Sequence, residues 1–204
     1  MRYEANFVKV KQMNKMRVLV VDFYDSFVFN LVHYFEAQGC QVVVRSDHEI
    51  PIDALDFLFD FNGVILSPGP GLPQETHAMQ AVISFCKGHI PVFGVCLGMQ
   101  GLGLDMGGEL YNLDAIRHGI TGSVTCVTHE LLLQNVPNQF QVGLYHSWAV
   151  KGLEPDVISA IDEDGVIMAV ENHHTKQYGV QFHPESIMTP LGMEIVCNVI
   201  SKIF

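Results

Sequence analysis

Cys96 stands in VFGVCLGMQ, residues 92–100, where an apolar run stops and Gly94 and Gly98 flank the thiol. A cysteine needed only for packing would not need glycine on both sides. The pattern Gly-x-Cys-x-Gly fits a strand–turn–helix elbow around a nucleophile, the thiol counterpart of the serine elbow of hydrolases. Its glycines let the backbone turn sharply and let neighbouring elements approach. Such a turn lifts the thiol above a sheet and sets it at a helix N-terminus, whose positive potential favours thiolate. The N–H of Leu97 would point into the same space, ready for the oxyanion formed when sulfur attacks a carbonyl. Taken alone, the elbow leaves a buried structural cysteine as an equal alternative.

A thiolate nucleophile needs a base, and the chain holds ten histidines. The best placed is His183 in GVQFHPES, residues 179–186. Pro184 biases His183 toward extended backbone. Residues i and i+2 of an extended segment share a face, so Glu185 would project beside His183. The carboxylate could then hold one ring nitrogen and leave the other for a substrate or thiol. Cys96 and His183 are far apart in sequence, which a triad tolerates because geometry defines it. A solvated His-Pro-Glu loop is the plain alternative.

The elements around these residues describe an α/β sheet. RVLVVD (17–22), QVVVRS (41–46), GVILS (63–67) and IPVFGV (90–95) read as strands, the continuously apolar ones buried on both faces of a parallel sheet. After RVLVVD comes a helix pattern with Ser26 as cap, an apolar stripe of Phe27, Leu31, Tyr34 and Phe35, and Gly39 as stop. ETHAMQAVISFCKG (75–88) predicts a second helix, and PGPGLPQ (68–74) must be a loop. Alternating strands and helices imply right-handed crossovers. Beyond about residue 105, short alternating segments at 123–129, 140–150, 156–161, 166–172 and 177–182 suggest antiparallel strands added to the parallel core. A helix over about 190–203 closes the chain.

With 204 residues, 49% of them hydrophobic, the chain suits one domain with a sizeable core. A formal charge of −11 argues against a nucleic-acid partner. Five cysteines without a CxxC pair argue against a disulfide framework or a cysteine zinc site, and they suit a reducing cytoplasm. Cys40, Cys86, Cys126 and Cys197 fall within strand or helix patterns and read as packing residues. No apolar run reaches the ~20 residues of a membrane span. Residues 1–16 carry Arg2, Lys9, Lys11 and Lys15 in an otherwise acidic chain and read as an N-terminal extension before the domain at 17–204. His173-His174 reads as a loop pair in water, not a metal site.

Four blocks together resemble the class I (triad) glutamine amidotransferases: Asp22-Phe-Tyr-Asp-Ser-Phe27 with Asn30-Leu31, Ser67-Pro-Gly-Pro-Gly71, Gly94-Val-Cys-Leu-Gly-Met-Gln100, and Gly179-Val-Gln-Phe-His-Pro-Glu-Ser186. Within that class the chain is similar to the glutaminase subunits of anthranilate synthase and of aminodeoxychorismate synthase. The resemblance covers residues 17–204 and implies an open, mostly parallel, flavodoxin-like sheet flanked by helices. It implies a Cys96–His183–Glu185 triad that hydrolyses L-glutamine, with oxyanion N–H groups from Gly69 and Leu97. Glutamine-binding positions carry over to Gly69, Pro70, Gly71, Leu97, Gln100, Ser147 and Trp148. The implied partner is a chorismate-using synthase subunit, either anthranilate synthase component I or aminodeoxychorismate synthase component I. No cofactor is implied. Four positions depart from the pattern. Met99 replaces a common histidine and resembles the glutaminase of GMP synthetases. Trp148 replaces an apolar residue, Ile120 a lysine and Phe23 an asparagine. Tyr24-Asp-Ser-Phe27 and Glu185-Ser-Ile-Met-Thr189 favour the anthranilate type.

Overall fold

A computed structural model describes residues 15–204. One nine-stranded sheet runs through the molecule in the order β2-β1-β3-β4-β9-β8-β7-β5-β6. Its first half is parallel: β2 (Gln41–Ser46), β1 (Arg17–Asp22), β3 (Gly63–Leu66), β4 (Val92–Val95) and β9 (Gln177–Val180). Its second half is antiparallel: β8 (Ile167–Asn172), β7 (Ile158–Asp162), β5 (Glu109–Cys126) and β6 (Gln139–Lys151). The expected mixed α/β architecture is therefore the one observed.

Alternation along β1 divides the core. Val18 and Val20 pack with Val28, Leu31 and Phe35 of α1 (Val28–Ala37) and Ile195 of α4 (Gly192–Asn198). Leu19 and Val21 pack with Val82 and Ile83 of α2 (Met79–Cys86) and Leu97 of α3 (Leu97–Asp105). Both faces of the parallel half are thus covered, which is why its strands read as unbroken apolar runs. Among the described residues no helix is long and apolar enough to cross a membrane.

Several boundaries differ from the sequence reading. Ser26 does not cap α1; the turn before the helix is held by Asp25, whose Oδ1 accepts from the Phe27 N–H at 2.8 Å. The second helix starts at Met79 rather than residue 75, because the buried Asp47 carboxylate accepts from the N–H groups of His77 and Ala78 at 2.7 and 2.8 Å. This distant capping fixes where the helix begins. β5 starts at Glu109, well before residue 123, and its pairing with β6 shifts between Asn112 and Arg117 and between His118 and Ile120. Bulges break the period-2 pattern, so this half of the strand shows no alternation. The last helix continues from α4 into a π-helical turn, Val199–Ile203. Of the N-terminal extension, residues 1–14 lie outside the described residues. Met16 packs against the core, and its carbonyl accepts from the Gln41 N–H at 2.8 Å.

Candidate active site

The cysteine turn forms where β4 meets α3. Cys96 is the residue before the helix, with φ 51° and ψ −102°. A non-glycine residue there is strained and persists only where its surroundings over-determine it. They do so here. The Cys96 N–H donates to Val180 O at 2.8 Å, and its carbonyl accepts from Gln100 N at 2.9 Å. A methyl group on Gly94 would lie 2.5 Å from the Gly98 carbonyl carbon, and one on Gly98 would lie 2.7 Å from Leu66 Cβ. The two glycines are therefore spacers that let the elbow nest against β3. The strand–turn–helix elbow expected from Gly-x-Cys-x-Gly is present, and Cys96 is 7% exposed.

His183 follows β9 by three residues. Its Nδ1 lies 2.8 Å from Glu185 Oε1, and both side chains are buried. The sequence reading brought the two together through extended backbone, but the structure does so through a turn. The Ser186 N–H donates to His183 O at 3.2 Å, with Pro184 at the second turn position that its fixed φ suits. The turn is tied down by Thr189, whose Oγ1 donates to His183 O at 2.6 Å and accepts from the Gly143 N–H at 2.9 Å. Burial alone would lower the imidazole pKa, but the Cys96 sulfur and the Glu185 carboxylate beside it outweigh burial and raise it well above the usual value. His183 Nε2 is buried with no hydrogen-bond partner.

Two aromatic rings position the imidazole. Tyr145 of β6 meets it edge-on at 4.9 Å between centroids, and Phe27 does so at 5.4 Å. Tyr145 Oη also lies 3.1 Å from Ser186 Oγ. Sequence reasoning gave neither residue this role. The available signal was their position, Phe27 at the end of the first block and Tyr145 directly before His146-Ser147.

A cavity of about 150 Å³ opens beside Cys96. The positions proposed to bind substrate meet there: Gly69, Pro70 and Gly71 from the loop after β3, Leu97 and Gln100 from α3, and Ser147 and Trp148 from β6. A hollow of about 430 Å³ beside Asp114, Arg117 and Asp164 has no cysteine, serine or histidine in its lining. Ser147 sits within β6 on ordinary strand backbone, with no elbow around it. His146 is buried, and desolvation takes its pKa down to about 4 against a weaker opposing effect of its bond to Trp148 O. The neutral ring donates from Nδ1 to that carbonyl at 2.9 Å.

The four departures from the family pattern lie in different surroundings. Met99 is fully buried against Val150, Ile167 and Val170, on the side of α3 away from the cavity, so its identity is a packing matter. Phe23 is also buried, and its N–H donates to Ser67 Oγ at 2.9 Å at the start of the glycine-proline loop. Ile120 is exposed on β5. Trp148 contributes its carbonyl, which accepts from Gln100 Nε2 at 3.0 Å. Far from the cavity, at the other end of β8 and β9, His173 pairs with Glu130 rather than standing free in water. With Glu171 they form the group of described residues whose donor atoms are close enough to hold a cation.

The family model described as glutamine amidotransferase class-I matches residues 19–203. Over 188 residues the chain is 42% identical to the anthranilate synthase component 2 of Mycobacterium tuberculosis, covering 90% of this chain and 81% of that one. It is 40% identical over 193 residues to the aminodeoxychorismate synthase of Streptomyces griseus, a longer protein of which the match covers 25%. In fold it is similar to a Thermoplasma acidophilum protein assigned to GMP synthase, at TM-score 0.81 and 21% identity, covering 92% and 94% of the two chains. The chain belongs to the class I glutamine amidotransferase family.

Proposed function

We propose that this chain is a glutaminase subunit that supplies ammonia to a chorismate-using synthase making anthranilate. The observation that carries the reading is the pairing of a strained Cys96 elbow with a buried imidazole whose Nδ1 is held by Glu185 and whose Nε2 is free. In the proposed reaction Cys96 Sγ attacks the side-chain carbonyl of glutamine. The N–H groups of Gly69 and Leu97 receive the oxyanion. His183 passes a proton to the departing nitrogen, the C–N bond breaks, and a γ-glutamyl thioester remains with ammonia. Water, deprotonated by His183, then cleaves the thioester to glutamate and restores the thiol. Glu185 keeps the imidazole oriented and stabilises it when charged. Gln100, Ser147, Trp148 and the Gly69-Pro70-Gly71 loop form the glutamine-binding walls. No cofactor enters these steps.

Ammonia must reach the partner without being protonated in bulk water, so the partner should cover the cavity mouth. Exposed apolar side chains stand close in sequence to the groups that hold His183, which supports this. Phe29 is 68% exposed two residues after Phe27, and Ile187 is 95% exposed two residues after Glu185. Ile120 is exposed near His118, whose ring packs on Tyr145. The 42% identity to an anthranilate synthase component 2 favours the anthranilate partner. The 40% identity to an aminodeoxychorismate synthase supports a second reading, the same role for that partner in folate supply.

The test combines the chain and chorismate with each synthase partner in turn and follows product fluorescence with glutamine or ammonium. Wild type should form anthranilate from glutamine, while Cys96→Ala should do so only from ammonium. Product with the aminodeoxychorismate partner alone would favour the second reading. Product with neither, or a glutaminase rate that saturating partner leaves unchanged, would end the proposal of a partnered glutaminase.

A further inference from the structure

Gln181 is fully buried between β9 and His183, directly beneath the reacting sulfur. Its backbone is fixed, the N–H donating to Met168 O at 2.9 Å. Its amide nitrogen lies 3.5 Å from Cys96 Sγ, and its amide oxygen lies 3.2 Å from Gln100 Nε2. The direction of this chain of bonds follows from its far end. Trp148 O is a backbone carbonyl and can only accept, so the Gln100 group 3.0 Å from it must be the NH2. The second hydrogen of that nitrogen meets Gln181, which must therefore present its oxygen there. What remains to face Cys96 is the Gln181 NH2. A network of this kind is what assigns amide oxygen and nitrogen.

We infer that Gln181 is a catalytic residue that donates an N–H to the Cys96 sulfur and favours its thiolate, while Gln100 ties that donor to the substrate cavity. The inference rests on the glutaminase reading given above. A thiol is a weak acceptor and a thiolate a strong one, so a donor with no other use stabilises the charged form. The donor is buried and orientationally locked, and it needs no rearrangement as charge develops on sulfur. Gln100 spends both N–H groups on Trp148 and Gln181, which leaves its Oε1 for a donor in the cavity. A bound substrate that pulls on Gln100 therefore also pulls on the group that polarises the nucleophile. The signal in the sequence was an amide at the end of QYGVQ, where an apolar run gives no reason for a polar side chain.

The experiment is the pH dependence of Cys96 alkylation by iodoacetamide in the full chain, quantified on the Cys96 peptide by mass spectrometry. Gln181→Met keeps the shape and removes the donor. Its half-maximal pH should rise by about one unit and its rate at pH 7 should fall about tenfold. Gln181→Glu should shift it at least as far, by placing an acceptor against the sulfur. Glutamine kinetics should divide in the same sense: Gln181→Met lowers kcat about tenfold at unchanged KM, whereas Gln100→Met also raises KM. A folded Gln181→Met with the wild-type alkylation profile would overturn the inference, because a residue that only packs would leave that profile alone. If the variant does not fold, the wild-type side-chain amide resonance of Gln181 decides. It should move with pH as Cys96 ionises, and a resonance that ignores this would equally overturn the inference. Absence of glutamine turnover in wild type would count against the proposed function, while the alkylation profile would still judge Gln181.

Discussion

Cys96 and His183 are held in opposite ways. The cysteine is fixed by backbone: a positive φ, two peptide hydrogen bonds, and glycines too close to their neighbours for any side chain. The histidine is fixed by side chains drawn from several elements: Phe27 before α1, Tyr145 on β6, and Glu185 and Thr189 in its own turn. The first arrangement belongs to the parallel half of the sheet and tolerates almost no change. The second gathers at the boundary with the antiparallel half and should fail gradually. In the proposed reaction, the residue that must be placed at one point is set by the main chain, while the residue proposed to move protons has an environment that can be tuned.

The sharpest way to test that contrast is Gly98→Ala. Its methyl would meet the backbone of Leu66, so the elbow and the strand beneath it should be lost together. We expect destabilisation of about 4 kcal/mol or more, read by urea unfolding. A stable Gly98→Ala protein would show that the elbow is not rigid. Glu185→Gln should leave the fold in place and lower kcat for glutamine about 10²- to 10³-fold, since the imidazole loses the carboxylate that orients it and supports its charge.

His146 gives a pH test with a definite sign. Its folded pKa of about 4 lies below the ordinary 6.5, so the unfolded chain binds the proton more readily between those values. Its contribution is therefore present above about pH 6.5 and is lost as pH falls toward 4, by up to about 3 kcal/mol. His183 acts in the opposite sense. Its raised pKa stabilises the fold below about pH 6.5, and that contribution is lost as pH rises through the folded value. His146→Asn keeps a donor for Trp148 O and should flatten the acid side of the stability profile when thermal unfolding is compared across that range. The smallest effect is expected of Tyr145→Phe, which keeps the ring against His183 and removes only the contact with Ser186. A two- to fivefold fall in kcat without loss of stability is expected. A larger loss than that of Glu185→Gln would mean that the hydroxyl, not the ring, is the important part.

Much of the parallel half was legible in the sequence because buried strands there are short, apolar and punctuated by glycine. The proposed site could be read because Cys96, His183 and Glu185 lie within a few residues of strand ends, where α/β sheets place their ligands. What was not legible depended on distant partners. Asp47 decides where α2 begins from 30 residues away. The bulges of β5 arise from its pairing with β6 and leave no periodic trace. Gln181 looked like one more strand residue until Gln100 and Trp148 were seen to fix the direction of its amide.

The central claim is that Cys96 is the nucleophile of a glutaminase. The most direct test treats the chain, with and without the synthase partner, with 6-diazo-5-oxo-L-norleucine and maps the adduct by peptide mass spectrometry. The account predicts one adduct, on Cys96, formed faster with the partner present and suppressed by glutamine. An adduct spread over the other cysteines, or one on Cys96 that glutamine does not suppress, would contradict it.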